Sequence, residues 1–585
     1  MRQPVHPFDL QARAELSTYG LTGLLDSHRD GLMYFLGNWR ARPARADHGL
    51  WDCGDGSGRH VDALTLARRM VRRNSPASPG GAGDEQLEGW MLRFLGEEDL
   101  TWLPPEPWAA PWGQELLLSD MQPSQRYAEI SWSQRSTLMG LLSRFLGTSD
   151  ERYLAYAQRL IDGLLRVAVH HPDGLFFPEG YYRPGGWHTD RVGLFPGIEE
   201  VNAAVVVPAI RLYEESRYQP ALELADGLVR FALKHTQGYT ADGRMIAPHG
   251  GALQEHFHTR SSFIMGVLKL GFTLGRREYI AWARQSYALA KEWGTDFGWF
   301  PEHLGQRHGE ICCTTDMIEI ALLLGQHVDK SYFADAERFG RNHLLESQFL
   351  SFDRLESALG RLPADSAPPP WAGQYSTSQD VAKRQVGAFA SRPTLNDAFH
   401  LDATDLMQCC NAAGTRALYD LWYYAIEEVP AANGEPLREK VHLRFSVETP
   451  ALKVVSHEPT AGQLDITARH PCQVEIRLPA DASETLAVFT AQGSPRVQAL
   501  PVQDGYVHFQ AVEGECVALH YPLGARTAEY EVGKTGHTIR CTGTWRGETL
   551  MHVDPSGVFY PLYDRPVNLE PVEPELPGSP LIASL

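Results

Sequence analysis

At 585 residues the chain exceeds what one hydrophobic core usually serves, so two or more domains, or one large toroid with an accessory domain, are expected. Hydrophobic residues at 43% and charged residues at 21% exclude a largely disordered or fibrous chain. With 53 Lys plus Arg against 72 Asp plus Glu and a net charge of −19, a phosphate backbone finds no basic footprint, so nucleic acid is excluded as an expected partner.

The opening, Met1-Arg2-Gln3-Pro4-Val5-His6-Pro7, lacks a signal peptide's apolar run, and no later stretch approaches about 18 uninterrupted apolar residues. A cytoplasmic protein with no membrane partner is expected. From about residue 10 to 430 apolar positions recur at helical spacing, and a helix-pair unit returns at Tyr153, Tyr218, Tyr279 and Tyr332, which stand 65, 61 and 53 residues apart. In each unit an apolar helix ends near Gly or a polar turn, and the Tyr opens a second helix with small residues on its packing face. Such hairpins close most naturally into an (α/α) barrel with a central cleft, so residues 1–430 are expected to form a mainly α, six-hairpin catalytic domain; an open stack of helices is the alternative. Two loops interrupt it. Residues 74–84 carry no functional cue, whereas 355–400, broken by Pro363, Pro368-Pro369-Pro370 and Pro393, holds Trp371 and Tyr375 and reads as a cleft lid or an ordered surface excursion. After about 435 the period becomes two, and short alternating runs between Gly, Pro and Asp turns predict a β-sandwich over 436–569. A Pro- and Glu-rich tail follows over 570–585.

Eight cysteines in so long a chain are no disulfide framework, yet four fall in two adjacent pairs, Cys312-Cys313 and Cys409-Cys410. Each pair stands just ahead of an apolar helical run, Asp316 to Leu324 and Arg416 to Trp422, where unpaired amides and the helix dipole favour thiolate. Zinc takes sulfur and carboxylate ligands tetrahedrally, and Glu310, Cys312, Cys409 and Cys410 supply a full set. Buried core packing is the alternative for all of them. Cys53, Cys472, Cys516 and Cys541 read as small buried hydrophobes.

Several motifs occur in one order: Glu310-Ile311-Cys312; Cys409-Cys410 with Arg416 following; Glu337-Arg338 with Asn342, Leu345 and Ser347-Gln348; His256-Phe257-His258-Thr259-Arg260; and Arg59-His60 with Asp62-Ala63. In these the chain resembles the zinc-dependent, cysteine-nucleophile β-L-arabinofuranosidases of glycoside hydrolase family 127 and relatives, over most of its length. The resemblance implies an (α/α) barrel followed by β-sandwich domains, Zn2+ held by Glu310, Cys312, Cys409 and Cys410, and retaining hydrolysis of a glycoside or oligosaccharide. Cys409 is then the nucleophile. Glu302, in Phe300-Pro301-Glu302-His303 where relatives carry a longer loop, takes the acid/base role, which calls for a carboxyl held neutral by its surroundings. His60, His256, His258, Arg260 and Arg135 are expected at the sugar, with Trp299 and Trp187 stacking on a ring face. Arg135 and Arg260 stand where relatives carry other polar side chains, so a carboxylated sugar is one expectation and pairing of either Arg with a carboxylate such as Glu255 the other. Cys313 is an extra thiol, a spare ligand or packing. A zinc-stabilised carbohydrate-binding protein and a non-hydrolytic sugar enzyme on the same barrel are the rival functions, and a homodimer is left open.

Overall fold

A computed structural model describes residues 8–71, 82–96, 99–103, 128–178, 181–183, 185–187, 204–246, 256–365, 375–401, 405–430, 437–480, 482, 484–490, 495–533 and 538–565. Residues 74–81, Glu255, Trp371 and the tail 570–585 lie outside the described residues. Helices α1 (Leu10–Gly23), α2 (Asp55–Met70), α3 (Ala82–Phe94), α4 (Trp132–Thr148), α5 (Glu151–Val167), α6 (Val206–Ser216), α7 (Gln219–His235), α8 (Phe257–Leu274), α9 (Arg277–Ala290), α10 (Ile311–His327), α11 (Phe333–Phe339), α12 (Phe352–Arg361) and α13 (Gln408–Ala425) follow in chain order.

Six of them close a ring: α2 packs on α4, α4 on α6, α6 on α8, α8 on α10, α10 on α13, and α13 back on α2. Each of the first five is followed by an outer partner, α3, α5, α7, α9 or α11, and α1 packs against both α13 and α2 to serve as the sixth. This is the expected (α/α) barrel. Sequence character separates the rings. Outer α5 buries one stripe, Tyr153, Leu154, Ala157, Leu160, Ile161, Gly163, Leu164 and Val167, whereas inner α8 is buried at every position from Phe257 to Leu268. The closest crossing is α2 on α4, and glycine makes it possible: a Cβ on Gly58 would lie 2.4 Å from the Ser136 carbonyl carbon, and one on Gly140 would lie 2.9 Å from the Gly58 oxygen.

Small strands β1 (Leu36–Asn38), β2 (Arg45–Asp47), β3 (Ser376–Thr377) and β4 (Asp405–Met407) form a sheet in the order β4-β1-β2-β3. The C-terminal region is all β. Strands β5 (Ile426–Val429), β6 (Arg438–Val441), β10 (Cys472–Arg477) and β13 (Tyr506–Ala511) make one sheet in that order, with the β6/β10 pair parallel. The other sheet runs β7 (Val447–Glu448), β8 (Leu452–Ser456), β9 (Gln463–Ala468), β14 (Cys516–His520), β11 (Glu484–Thr490), β12 (Arg496–Pro501). Alternation along β9 buries Leu464, Ile466 and Ala468, and Phe489 meets Phe509 of the facing sheet at 5.8 Å. A further three-stranded sheet, β15 (Ala525–Val532), β16 (Ile539–Arg546) and β17 (Thr549–Asp554), packs on a second apolar core with Trp39, Phe349 and Trp299.

Within 355–400 the described part is packed on the body of the protein. It begins inside α12, and Val381, Ala388, Phe389, Ala390 and Leu395 are buried. Their apolar side chains need the body of the protein to cover them. Among the described residues no helix is long and apolar enough to cross a membrane.

Candidate metal centre

Because inner and outer helices alternate in direction, the N-termini of the inner helices collect at one end of the barrel, and the cysteine pairs open two of them. Backbone stitching sets their separation. Strand β4 pairs antiparallel with β1, Met407 opposite Leu36, and the Gln408 amide donates to the Phe35 carbonyl at 3.0 Å. Across from it the Gly309 amide donates to Pro393 O at 2.7 Å and the Ile311 amide to Ser391 O at 3.1 Å. Ser391 joins both, since its Oγ accepts from the Met407 amide at 2.6 Å. A residue from the Pro-broken segment thus clamps the two thiol-bearing helix starts.

One donor atom from each of Glu310, Cys312, Cys409 and Cys410 lies within 4.8 Å of every other. Cys312 Sγ is 3.5 Å and Cys409 Sγ 4.0 Å from Cys410 Sγ, and Cys410 Sγ is 3.6 Å from Glu310 Oε1. A tetrahedron built on zinc–sulfur bonds of about 2.3 Å and a zinc–oxygen bond of about 2.1 Å requires roughly 3.8 Å between sulfurs and 3.6 Å between sulfur and oxygen. The group is therefore spaced to hold a metal ion. The second Glu310 oxygen is held by His256 Nε2 at 2.7 Å, which orients the carboxylate from outside the set. Cys313 Sγ lies 3.5 Å from that same Oε2 and points into the buried core.

The four donors are not equivalent. Cys409 is half-buried, and Glu310, Cys312 and Cys410 are buried. Its pKa sits well below the ordinary thiol range because the Cys312 and Cys410 thiols donate to it and the Arg59 guanidinium faces it, outweighing burial. Those donations raise Cys312, and burial raises Cys410. Negative charge therefore settles on Cys409. Arg59 is itself held by Asp55 at 2.6 Å, one turn back on α2.

Glu302 sits in the same end, 7% exposed. Its carbonyl accepts from the Phe257 amide at 2.8 Å and His303 bridges to His256, which pins its loop to the start of α8. Oε2 meets His308 Nε2 at 2.7 Å and Oε1 meets Arg392 Nε at 2.9 Å. Burial would raise its pKa, but the His308 bond and the Arg392 charge leave it below the usual carboxylate range. The expectation of a carboxyl held neutral by its surroundings is thus corrected: two cation-capable partners hold it ionised.

The remaining predicted residues divide. His258 donates or accepts with Asp316 Oδ2 at 2.7 Å and stacks on Trp132 at 4.9 Å, and with Arg135 it lines a cavity beneath the thiols. His60 is buried against Gly56 O at 3.1 Å, and burial lowers its pKa to about 4. Arg260 points elsewhere, packing its guanidinium on Gly238 and over the Tyr239 ring at 5.6 Å. Trp299 offers no ring face to a sugar: it is fully buried in the second core and donates Nε1–H to Pro393 O at 3.0 Å. Trp187 packs on Tyr182 and donates to Val167 O at 2.8 Å. Sequence reasoning missed Arg59, Trp132, His308, Ser391 and Arg392. Helical spacing from Arg135 points to Trp132 only once the inner face of α4 is known, and nothing local marks Ser391 or Arg392.

No family model matches the chain, and no curated protein matches it in sequence. Solved structures share its fold. A β-L-arabinofuranosidase of glycoside hydrolase family 127 from Geobacillus stearothermophilus T6 superposes with a TM-score of 0.54 at 11% identity, over 92% of this chain and 80% of that one. A second family 127 β-arabinofuranosidase gives 0.55 at 12%, over 93% and 81%, and a glycoside hydrolase gives 0.52 at 11%, over 91% and 84%.

Proposed function

We propose that the chain is a retaining glycoside hydrolase, β-L-arabinofuranosidase-like, with a cysteine nucleophile beside a zinc ion held by Glu310, Cys312, Cys409 and Cys410. The observation that carries this is the four-donor cluster whose least buried cysteine, Cys409, is also the one whose pKa is pushed down. When bound, zinc keeps the thiols ionised near neutral pH. Glu310, Cys312, Cys409 and Cys410 would hold the ion, and Cys409, the least buried of the cysteines, would be the one that meets a substrate.

Cys409 Sγ attacks the anomeric carbon while the bond to the leaving oxygen breaks and Glu302 delivers a proton to that oxygen. Water then attacks the same carbon, the carbon–sulfur bond breaks, and Glu302 takes the water proton, so two inversions retain configuration. Because Glu302 rests ionised, an imidazolium at His308 would pass it the proton across the 2.7 Å contact, and the proton later taken from water would return to His308 by the same contact. His256 keeps Glu310 oriented through both steps. The domain division, barrel over 1–430 and β-sandwich over 436–569, belongs to the same reading, as does a cytoplasmic location.

A panel of aryl furanosides and pyranosides, assayed with and without a chelator, tests it. Turnover that disappears on chelation and falls at least about a thousandfold in Cys409→Ser supports the hydrolase. Near wild-type rates in Cys409→Ser would make Cys409 a ligand only. The ionised state of Glu302 also favours a second reading, proton abstraction by a non-hydrolytic sugar enzyme; an isomerised or unsaturated product from free sugar identifies it.

A further inference from the structure

The barrel continues beneath the metal centre. Thr315 and Asp316 follow Cys312 by one helical turn, Ala412 and Ala413 follow Cys409 likewise, and with α2, α4 and α8 they enclose a cavity of about 30 Å3. Three guanidiniums and four carboxylates line it, and all but one of these groups has a partner. Asp62 is 2.7 Å from Arg416, which also lies 4.0 Å from Glu319 and from Asp420. Asp316 engages His258 at 2.7 Å and Ser261 Oγ at 2.6 Å, Glu319 engages Lys269 at 3.3 Å, and Arg59 engages Asp55 at 2.6 Å.

Arg135 is the exception. It is 6% exposed, makes no ion pair among the described residues, and its Nη1 has no hydrogen-bond partner. What holds it is the Trp132 ring, 5.3 Å from its guanidinium carbon, with Arg59 the same distance from that ring. Burial, aggravated by Arg59, outweighs the more distant Asp316 and Asp55 carboxylates and lowers its pKa to about 10. Folding alone gives no return for an uncompensated buried guanidinium.

We propose that this cavity receives the carboxylate of an acidic sugar, with Arg135 as its counter-ion, so that the glycone attacked at Cys409 is a carboxylated one; the proposal deepens the hydrolase reading and rests on it for the word glycone. Among the described residues Arg135 has no direct carboxylate partner, and a ligand carboxylate would supply one. A doubly charged phosphate would meet the surrounding carboxylates, whereas a carboxylate matches the planar fork of a guanidinium. The volume, roughly that of two waters, admits a carboxyl group and not a sugar ring, which would lie outside it.

Calorimetric titration of the zinc-loaded protein with D-glucuronate and D-galacturonate, against D-glucose and D-galactose, tests this without turnover. The acids are expected to bind at least about tenfold tighter than their parents, with the preference erased in Arg135→Gln and partly kept in Arg135→Lys. Arg135→Gln should melt no lower than wild type, since it removes a buried charge; a structural arginine would show the reverse. The proposal is overturned by equal binding of acid and parent, by a preference that survives in both variants, by a large loss of stability in both, or by acetate and sulfate binding as tightly as the uronates. Binding of the acid with no hydrolysis of any glycoside overturns the hydrolase reading and leaves the anion site standing.

Discussion

Two buried clusters of charged and ionisable side chains can be compared: the thiol–carboxylate group at the barrel mouth and the ion network where the barrel meets the β region. In the second, Glu337 is bound by Arg341 at 2.7 Å, Arg444 at 2.9 Å and Arg477, while Glu458 takes Arg341 and Arg444 at 3.0 Å each and the Tyr521 hydroxyl at 2.6 Å. Its charges are answered from within the chain, by residues of α11, the turn after it, strand β10 and the connections that follow β6, β8 and β14. At the mouth, three thiols and a carboxylate converge with their donor atoms turned toward one another, and the nearby guanidinium, Arg59, is already shared with Asp55. A cluster that satisfies itself is a joint; a cluster of like donors converging on one point has a place for a cation.

The comparison is broken most directly at the mouth. Cys410→Ala is expected to cost the metal and all measurable turnover together, where Cys409→Ser costs turnover and leaves most of the fold; elemental analysis of wild type should find about one zinc per chain, and zinc-free protein with four readily alkylated thiols would remove the premise. At the joint, Glu337→Ala should destabilise the protein by about 3–5 kcal/mol in urea unfolding, because it strands buried guanidiniums, with zinc content unchanged. Loss of zinc in that variant would show that the two clusters are not independent.

Acid separates them by pH. Thiolate ligands compete with protons, so zinc affinity should fall steeply below about pH 6. Glu337 behaves differently: burial alone would raise its pKa, but Arg444, Arg477 and Arg341 reverse this and bring it down to about 2. A carboxylate depressed on folding contributes its stability above its unfolded value, near 4.5, and loses it as pH falls from there toward 2. Metal release near pH 6 with unfolding only below about 4.5 is expected, read by a zinc indicator and circular dichroism in one titration. Coincident transitions would contradict it. The smallest effect is at Gly58, where Ala should cost about 1–3 kcal/mol by forcing α2 off α4; an unchanged melting temperature would show that the crossing relaxes freely.

The Glu337 stretch shows why motifs alone could not rank these sites. On the sequence it stands beside Glu310-Ile311-Cys312 as one more element of resemblance, yet Asn342 Nδ2 donates to Glu548 O at 3.0 Å, its Oδ1 accepts from the Leu550 amide at 2.8 Å, and Gln348 Nε2 donates to Ser17 Oγ at 2.9 Å. Those residues fasten the segment after α11 to β17 and α1. No spacing distinguishes a fastening Asn from a sugar-binding one.

Local rules alone set a helical period to about 430, a period of two beyond it, hairpins that open at Tyr153, Tyr218, Tyr279 and Tyr332, and two thiol pairs at helix starts. Each is written in side-chain periodicity or in the end of a helix, and needs no distant neighbour. The tertiary structure decided the rest. It brought Ser391 between the two thiol segments, set Arg59 against Cys409, gave Glu302 its His308 and Arg392 partners, turned Trp299 and Arg260 into packing, and left Arg135 buried with no ion pair among the described residues. Whether a buried charge is neutralised, and so whether it is structural or waits for a ligand, depends on groups supplied by other helices and loops, and that complement exists only once the ring has closed.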